Sequence, residues 1–246
     1  MFRPVPAQRF DPSAQQDASC PLGECDGSGW LLDEDSNSAR PCECRERRVS
    51  RAASGRLGSG IPKRFRGVSF DRKPIVDLDP SVLRPVRAFV RDIEARMDAG
   101  EGLWFAGDVG TGKTSLAMLV SKAALDAGRS VAIYSVPRLL SEIKDTYDRD
   151  SGDSYERLFR RLCAVDLLHL DDLGAERTTD WVLEQLYSIV NERWQDRRSI
   201  VVTSNLIDLD QLRAQVGART VSRLSEMCEE PLLIMGPDLR MLADGA

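Results

Sequence analysis

The feature that most constrains this chain is an eight-residue run at positions 107–114, GDVGTGKT. A short apolar segment, 102–107, precedes it, and a stretch with helical apolar spacing follows to about residue 127. Glycines at the first, fourth and sixth places let successive backbone N–H groups converge on an anion without Cβ clashes. The N-terminus of the helix that follows adds a dipole of the right sign. The run fits the pattern G-x-x-x-x-G-K-[ST], a phosphate-binding loop, and its strand-then-helix setting is the one such a loop needs. On this reading Gly107, Asp108, Val109, Gly110, Thr111 and Gly112, with Ser115 behind them, cradle the phosphates of ATP. Lys113 reaches the β and γ phosphates, and the Thr114 hydroxyl holds Mg2+.

A second element answers the first. The segment LLHLDD, 167–172, sets two carboxylates at the end of an apolar strand, where ligands bind in open α/β sheets. Asp171 is placed to hold magnesium and Asp172 to orient or activate the attacking water. His169, the only histidine, lies mid-strand and reads as a packed core residue. Cys163 and Cys228 read as buried or incidental thiols. Strand 199–203 runs on to Asn205, which suits a γ-phosphate sensor but equally a turn or helix cap. Arg219, Arg223 and Arg240 can each stabilise transition-state charge, although a surface arginine is the default for all three.

Around these motifs strand-like and helix-like segments alternate from about residue 61 onward. Helices are expected over 81–98, 112–127, 137–148, 154–164, 179–195, 208–216 and 218–228, and strands over 102–107, 130–136, 165–171, 199–203 and 231–235. Such alternation implies an α/β fold, a parallel sheet with helices on both faces. The expected domains are a loose tail over 1–19, a cysteine-rich region with a basic linker helix over 20–60, and the ATPase domain over 61–246. Nine Lys/Arg against two Glu between Arg40 and Arg66 give that stretch +7 in a chain of net charge −5. It is either a solvated helix face or a surface for an acidic partner or nucleic acid. No apolar run reaches membrane-helix length and the N-terminus lacks a signal peptide's apolar stretch, so the expected location is the cytoplasm, with reduced thiols.

Four of the six cysteines fall in 20–44. Cys20, Cys25, Cys42 and Cys44 form C-x4-C, a gap of 16, then C-x-C. Two cysteine pairs separated by a short hairpin suit a closed structural Zn2+ site. An iron–sulfur cluster or free thiols are the alternatives. So few apolar residues over 25 positions could hardly fold without such a clip.

Taken in order, GDVGTGKT, IKDTYD (143–148), DLLHLDDLG (166–174), TSN (203–205) and GARTVSRL (217–224) resemble the DnaC/IstB group of AAA+ ATPases. The resemblance covers about residues 61–246. It implies a P-loop AAA+ core, here preceded by the small cysteine-rich, zinc-binding segment. It implies that Asn205 is the first sensor, Arg223 the arginine finger reaching a neighbour's ATP, Arg219 a second arginine on that helix, and Arg240 the second sensor. Leu239 stands where the family commonly has an aromatic, and Asp172 where many related ATPases have Glu, one methylene longer. Lys144, Tyr147, Thr179 and Trp181 match positions that touch single-stranded DNA in helicase loaders, although the two aromatics also suit ordinary partial burial. The implied activity is slow, partner- or DNA-regulated ATP hydrolysis during replication initiation. The implied partners are the hexameric replicative helicase, single-stranded DNA and, through ATP, further copies of the chain. The alternative within the group is a transposition helper ATPase working with a transposase on duplex DNA. A zinc-dependent adaptor using ATP only as a switch is a third reading.

Overall fold

The computed structural model describes residues 20, 22–33, 38–42, 44–45, 60–147 and 153–239. The chain divides into two compact units, residues 1–49 and 50–246. The expected tail, and the linker helix beyond Arg45, lie outside the described residues.

In the first unit, strands β1 (Trp30–Asp33) and β2 (Ser38–Pro41) form an antiparallel hairpin, with Trp30 opposite Pro41 and Asp33 opposite Ser38. Both strands are largely exposed, and among the described residues the buried side chains beside the hairpin are Cys42 and Cys44.

The second unit is a five-stranded parallel sheet with helices on both faces, as the alternation implies. In chain order it runs α1 (Pro80–Arg91), α2 (Ile93–Asp98), β3 (Leu103–Ala106), α3 (Lys113–Asp126), β4 (Val131–Ser135), α4 (Val136–Tyr147), α5 (Asp153–Ala164), β5 (Leu167–Leu173), α6 (Asp180–Gln195), β6 (Ser199–Ser204), α7 (Leu209–Val216), α8 (Ala218–Cys228) and β7 (Leu232–Leu233). Across the sheet the order is β4-β5-β6-β3-β7. Period-two alternation splits the core. Leu103, Phe105, Val131, Ile133, Leu167 and Val201 pack with α1, α2 and α3. Trp104, Tyr134, Leu168, Leu170, Ile200 and Val202 pack with α4 to α8. Each fully buried large side chain contributes roughly 1.5–3 kcal/mol of transfer free energy.

Three expectations are adjusted. The single helix expected over 81–98 is two, because the chain leaves helical geometry at Asp92 (φ −105°, ψ 27°). The strand expected to end at 171 continues to Leu173. The last strand keeps only Leu232–Leu233 of 231–235.

Arg193 is a structural surprise. It lies on α6 and is completely buried, yet its guanidinium faces backbone oxygens rather than a carboxylate. Nη1 donates to the carbonyls of Leu162 (2.7 Å), Cys163 (3.3 Å) and Val165 (2.9 Å), and Nη2 to those of Asp166 (3.2 Å) and Ser199 (2.5 Å). It therefore caps the orphan carbonyls where α5 runs into β5. Burial lowers its pKa to about 9, so it is still charged at neutral pH. Arg193→Met keeps the apolar stem and removes the donors. It should cost about 3 kcal/mol, read as a lower urea midpoint at unchanged slope. An unshifted midpoint would show that water replaces the guanidinium.

Candidate functional site

Because β3, β5 and β6 are parallel, their C-terminal ends meet along one edge, and the motif residues meet with them. Gly107 leaves β3 against β7: a Cβ there would lie 2.1 Å from the Ile234 carbonyl oxygen, which only glycine avoids. Gly112, at φ 101°, is the N-cap of α3 and turns the loop into the helix. Inside the loop the Thr111 hydroxyl donates to the Asp108 carbonyl at 2.9 Å, and the buried Lys113 ammonium donates to the same oxygen. Val109 stands out at the tip, 55% exposed. Asp108 is exposed, and Ser115 is half-buried in the first turn of α3.

Asp171 lies opposite the start of α3. Burial pushes its carboxyl up, but the nearby His169 imidazole and hydrogen bonds from Thr203 and Thr114 outweigh this and hold it below the usual carboxylate range. Its Oδ1 accepts from the Thr203 hydroxyl at 2.7 Å. A hydroxyl and an ionised carboxylate converging beside a phosphate loop are the hard oxygen donors Mg2+ takes, so Thr114 and Asp171 fit the ion. Asp172 differs from its neighbour. The β5–β6 register shifts between Leu170 and Leu173, and Asp172 adopts φ 60°, rarely populated for a residue with a side chain. The Asp172 N–H donates to Thr203 Oγ1 at 2.9 Å, and Asn205 Nδ2 lies 3.5 Å from Asp172 Oδ1. The bulge thus sends two adjacent carboxylates different ways, Asp171 toward Thr114 and Asp172 toward Asn205, and strain of this kind gathers at working sites.

The other expected residues fall into separate groups. Arg223 is held by its own unit: its guanidinium stacks 3.6 Å from the Trp194 ring, Nη1 bonds Glu226 at 2.8 Å and Nε bonds Asn191 at 3.3 Å. Arg219, one turn earlier, stacks on Tyr187 at 4.4 Å. Arg240 lies outside the described residues. Just before it, the Leu239 N–H donates to the Gly110 carbonyl at 3.0 Å, and a Cβ at Gly110 would strike the Asp238 carboxylate at 1.9 Å, so this segment lies on the loop.

Lys144, Tyr147 and Trp181 come together. Lys144 Nζ is 5.0 Å from the Trp181 ring, and Tyr147 meets Trp181 edge-on at 6.4 Å. Tyr147 is 55% exposed and stacks at 5.5 Å on Tyr155, which continues to Phe159. The result is an aromatic shelf with a cation at its edge. Thr179 has a structural task here: as N-cap of α6 its side chain accepts from the Val182 N–H. Tyr155 was missed in the sequence because helical periodicity alone gives no reason to pair it with Tyr147. The same is true of Thr203, Asn191 and Glu226, whose partners are 31 and 32 residues away except for Glu226–Arg223.

In the first unit the Sγ atoms of Cys20, Cys25, Cys42 and Cys44 all lie within 4.8 Å of one another. Cys20–Cys42 is 3.8 Å and Cys25–Cys44 is 3.5 Å. A tetrahedral ion with metal–sulfur bonds near 2.3 Å spaces its sulfurs about 3.8 Å apart. The four therefore fit one zinc-sized ion. A cluster holds its thiolates on separate irons, spreading them further.

Among the described residues no helix is long and apolar enough to cross a membrane. The sequence model of the family described as IstB-like ATP binding protein matches residues 85–223, more than half of the chain. The uncharacterized protein YdaV of Escherichia coli K12 is 34% identical over 121 residues, 49% of this chain and 48% of that protein. The replicative helicase loader DnaC of the same organism is 28% identical over 181 residues, 73% of this chain and 72% of that one. The chain thus spans about half the length of one of these relatives and under three quarters of the other. A crystal structure of the DnaC helicase loader superposes with a TM-score of 0.60 at 26% identity, covering 72% of this chain and all of that one.

Proposed function

The chain belongs to the IstB-like ATP-binding protein family, in the DnaC/IstB group of AAA+ ATPases, and on that premise we propose that it is a cytoplasmic ATP-dependent loader of the replicative helicase. The observation that carries the ATPase reading is the meeting of Lys113, Thr114, Asp171, Asp172 and Asn205 at one sheet edge. ATP enters with its phosphates in the loop, and Lys113 exchanges the Asp108 carbonyl for the β and γ oxygens. Thr114 and Asp171 hold magnesium, which supplies charge neutralisation at the phosphates. Asp172 accepts a proton from, or orients, the attacking water, and Asn205 steadies Asp172 and the γ-phosphate. Water adds to the γ-phosphorus and ADP leaves.

Arg223 acts on a neighbouring copy's ATP, so hydrolysis per chain should rise with protein concentration. Arg223→Ala should abolish that rise and leave ATP affinity unchanged. Glu226→Gln removes the acid that holds the guanidinium in cis and should shift the rise to lower concentration. If hydrolysis is independent of concentration, the finger does not act in trans.

The shelf of Lys144, Tyr147 and Trp181 is suited to single-stranded DNA, with a phosphate at the lysine and a base on the exposed tyrosine. Residues 1–60, with zinc on Cys20, Cys25, Cys42 and Cys44, grip the helicase hexamer. The test is capture of the host's hexameric replicative helicase, with and without ATP, by the full chain and by one lacking residues 1–60. Capture that needs residues 1–60 supports the loader. The second reading, a transposition helper, draws on the family description itself. It predicts no helicase capture and a preference for duplex over single-stranded DNA.

A further inference from the structure

His169 satisfies the packed-core reading in burial but not in polarity. It is completely buried in β5, between Ile133 on β4 and Val201 on β6. Its neighbours along the strand are Leu168 and Leu170, and a third aliphatic residue would fill the same space without a polar atom to satisfy. Nδ1 lies 2.9 Å from the Ser121 hydroxyl on α3, the helix that opens with Lys113 and Thr114. Nε2 is buried and makes no hydrogen bond. Such an orphan costs roughly 1–3 kcal/mol. It does, however, face a group of defined chemistry: Asp171 Oδ1 is 3.8 Å away, on the same face of the strand two residues on. Of the two tautomers, the one with the proton on Nε2 sets an N–H toward the carboxylate and leaves Nδ1 to accept from Ser121.

We propose that His169 is a positioning residue for Asp171: its Nε2–H steadies Oδ1, aiming the carboxylate at the magnesium of bound ATP, while Ser121 fixes the imidazole. The line Ser121–His169–Asp171 then ties the helix that carries Thr114 to the strand that carries the second metal ligand, so the two ligands keep their spacing. Thr203 steadies the same oxygen from β6. Carboxylates that hold metal ions are commonly oriented by such outer partners, whose loss weakens metal affinity about 10- to 100-fold. The proposal rests on Asp171 being a magnesium ligand.

The test uses the full chain, a non-hydrolysable fluorescent ATP analogue and a magnesium titration. The readouts are the half-saturating Mg2+ concentration for analogue binding, the affinity in EDTA, and the urea midpoint. His169→Leu should raise the half-saturating Mg2+ about tenfold or more. It should leave affinity in EDTA unchanged and the urea midpoint unchanged or higher, since the orphan is gone. His169→Gln, which keeps an N–H donor, should recover part of the magnesium response, and Ser121→Ala should shift it less, in the same direction. An unchanged magnesium response in His169→Leu, or in His169→Met should the leucine variant not fold, overturns the proposal. Asp171→Asn is the separate control. If it too leaves the magnesium response unchanged, the metal assignment fails as well. If it alone raises the requirement, only the role of His169 is lost.

Discussion

Lys113→Ala should reduce affinity for ATP roughly a thousandfold, about 4 kcal/mol, within the range for removing one partner of a buried charge pair. The lysine is 5% exposed at the base of the loop, so its ammonium meets phosphate oxygens with little competing water. Charge-assisted hydrogen bonds of that kind are about twice as strong as neutral ones. The Asp108 carbonyl that Lys113 serves keeps the Thr111 hydroxyl at 2.9 Å in the variant. Equilibrium binding of a fluorescent ATP analogue measures the loss, with the thermal transition of the nucleotide-free protein as the control. Undiminished affinity in a folded variant would show that nucleotide does not sit in this loop. A fall in the nucleotide-free transition would show that Lys113 braces the fold. By contrast, Asp172→Ala should leave ATP affinity nearly intact and lower turnover: Asp172 faces Asn205, and on the mechanism we propose it acts on the attacking water rather than on the phosphates.

How much of this was legible in the sequence follows from the range of the forces involved. Apolar periodicity is local, so the alternation of helices and strands could be read, as could the meeting of Gly107–Thr114 with Asp171 at the strand ends of a parallel sheet. The bulge at Asp171–Asp172 could not: nothing in LLHLDD says that the strand continues through both acids and turns Asp172 to φ 60°. Nothing in the sequence around Arg193 marks it for burial. It is buried because the carbonyls it serves belong to α5, to the turn between α5 and β5, and to β6, from 6 to 31 residues away. Arg223 was found through the family resemblance, and its pairing with Asn191 and Trp194 depends on how α6 packs against α8. His169 shows the limit well. Position and hydropathy place it in the core, and only the paired strands and α3 show that its two nitrogens face a serine and a carboxylate.

The second large effect belongs to the first unit, whose described residues bury little apolar surface. Leu32 of the hairpin is 75% exposed, Trp30 is 37% exposed beneath the Arg45 guanidinium, and among the described residues the buried side chains there are the thiols Cys42 and Cys44. An isolated two-stranded hairpin is marginal in water. Structural zinc in finger peptides contributes about 10–16 kcal/mol, so one thiolate of four carries on the order of 3 kcal/mol, more than a hundredfold in zinc affinity. The protein as purified should therefore hold one zinc per chain, and Cys42→Ser should lose it. Zinc content by elemental analysis and limited proteolysis after Cys44 measure the two halves of the claim. Loss of zinc should open residues 20–45 to protease and leave ATP affinity unchanged, because Lys113, Thr114 and Asp171 lie in the other unit. If helicase capture is lost along with the zinc, the metal-held hairpin is what the helicase recognises. If the wild-type chain contains no zinc and its hairpin still resists protease, the four thiols are not a metal site and the hairpin's stability has another source.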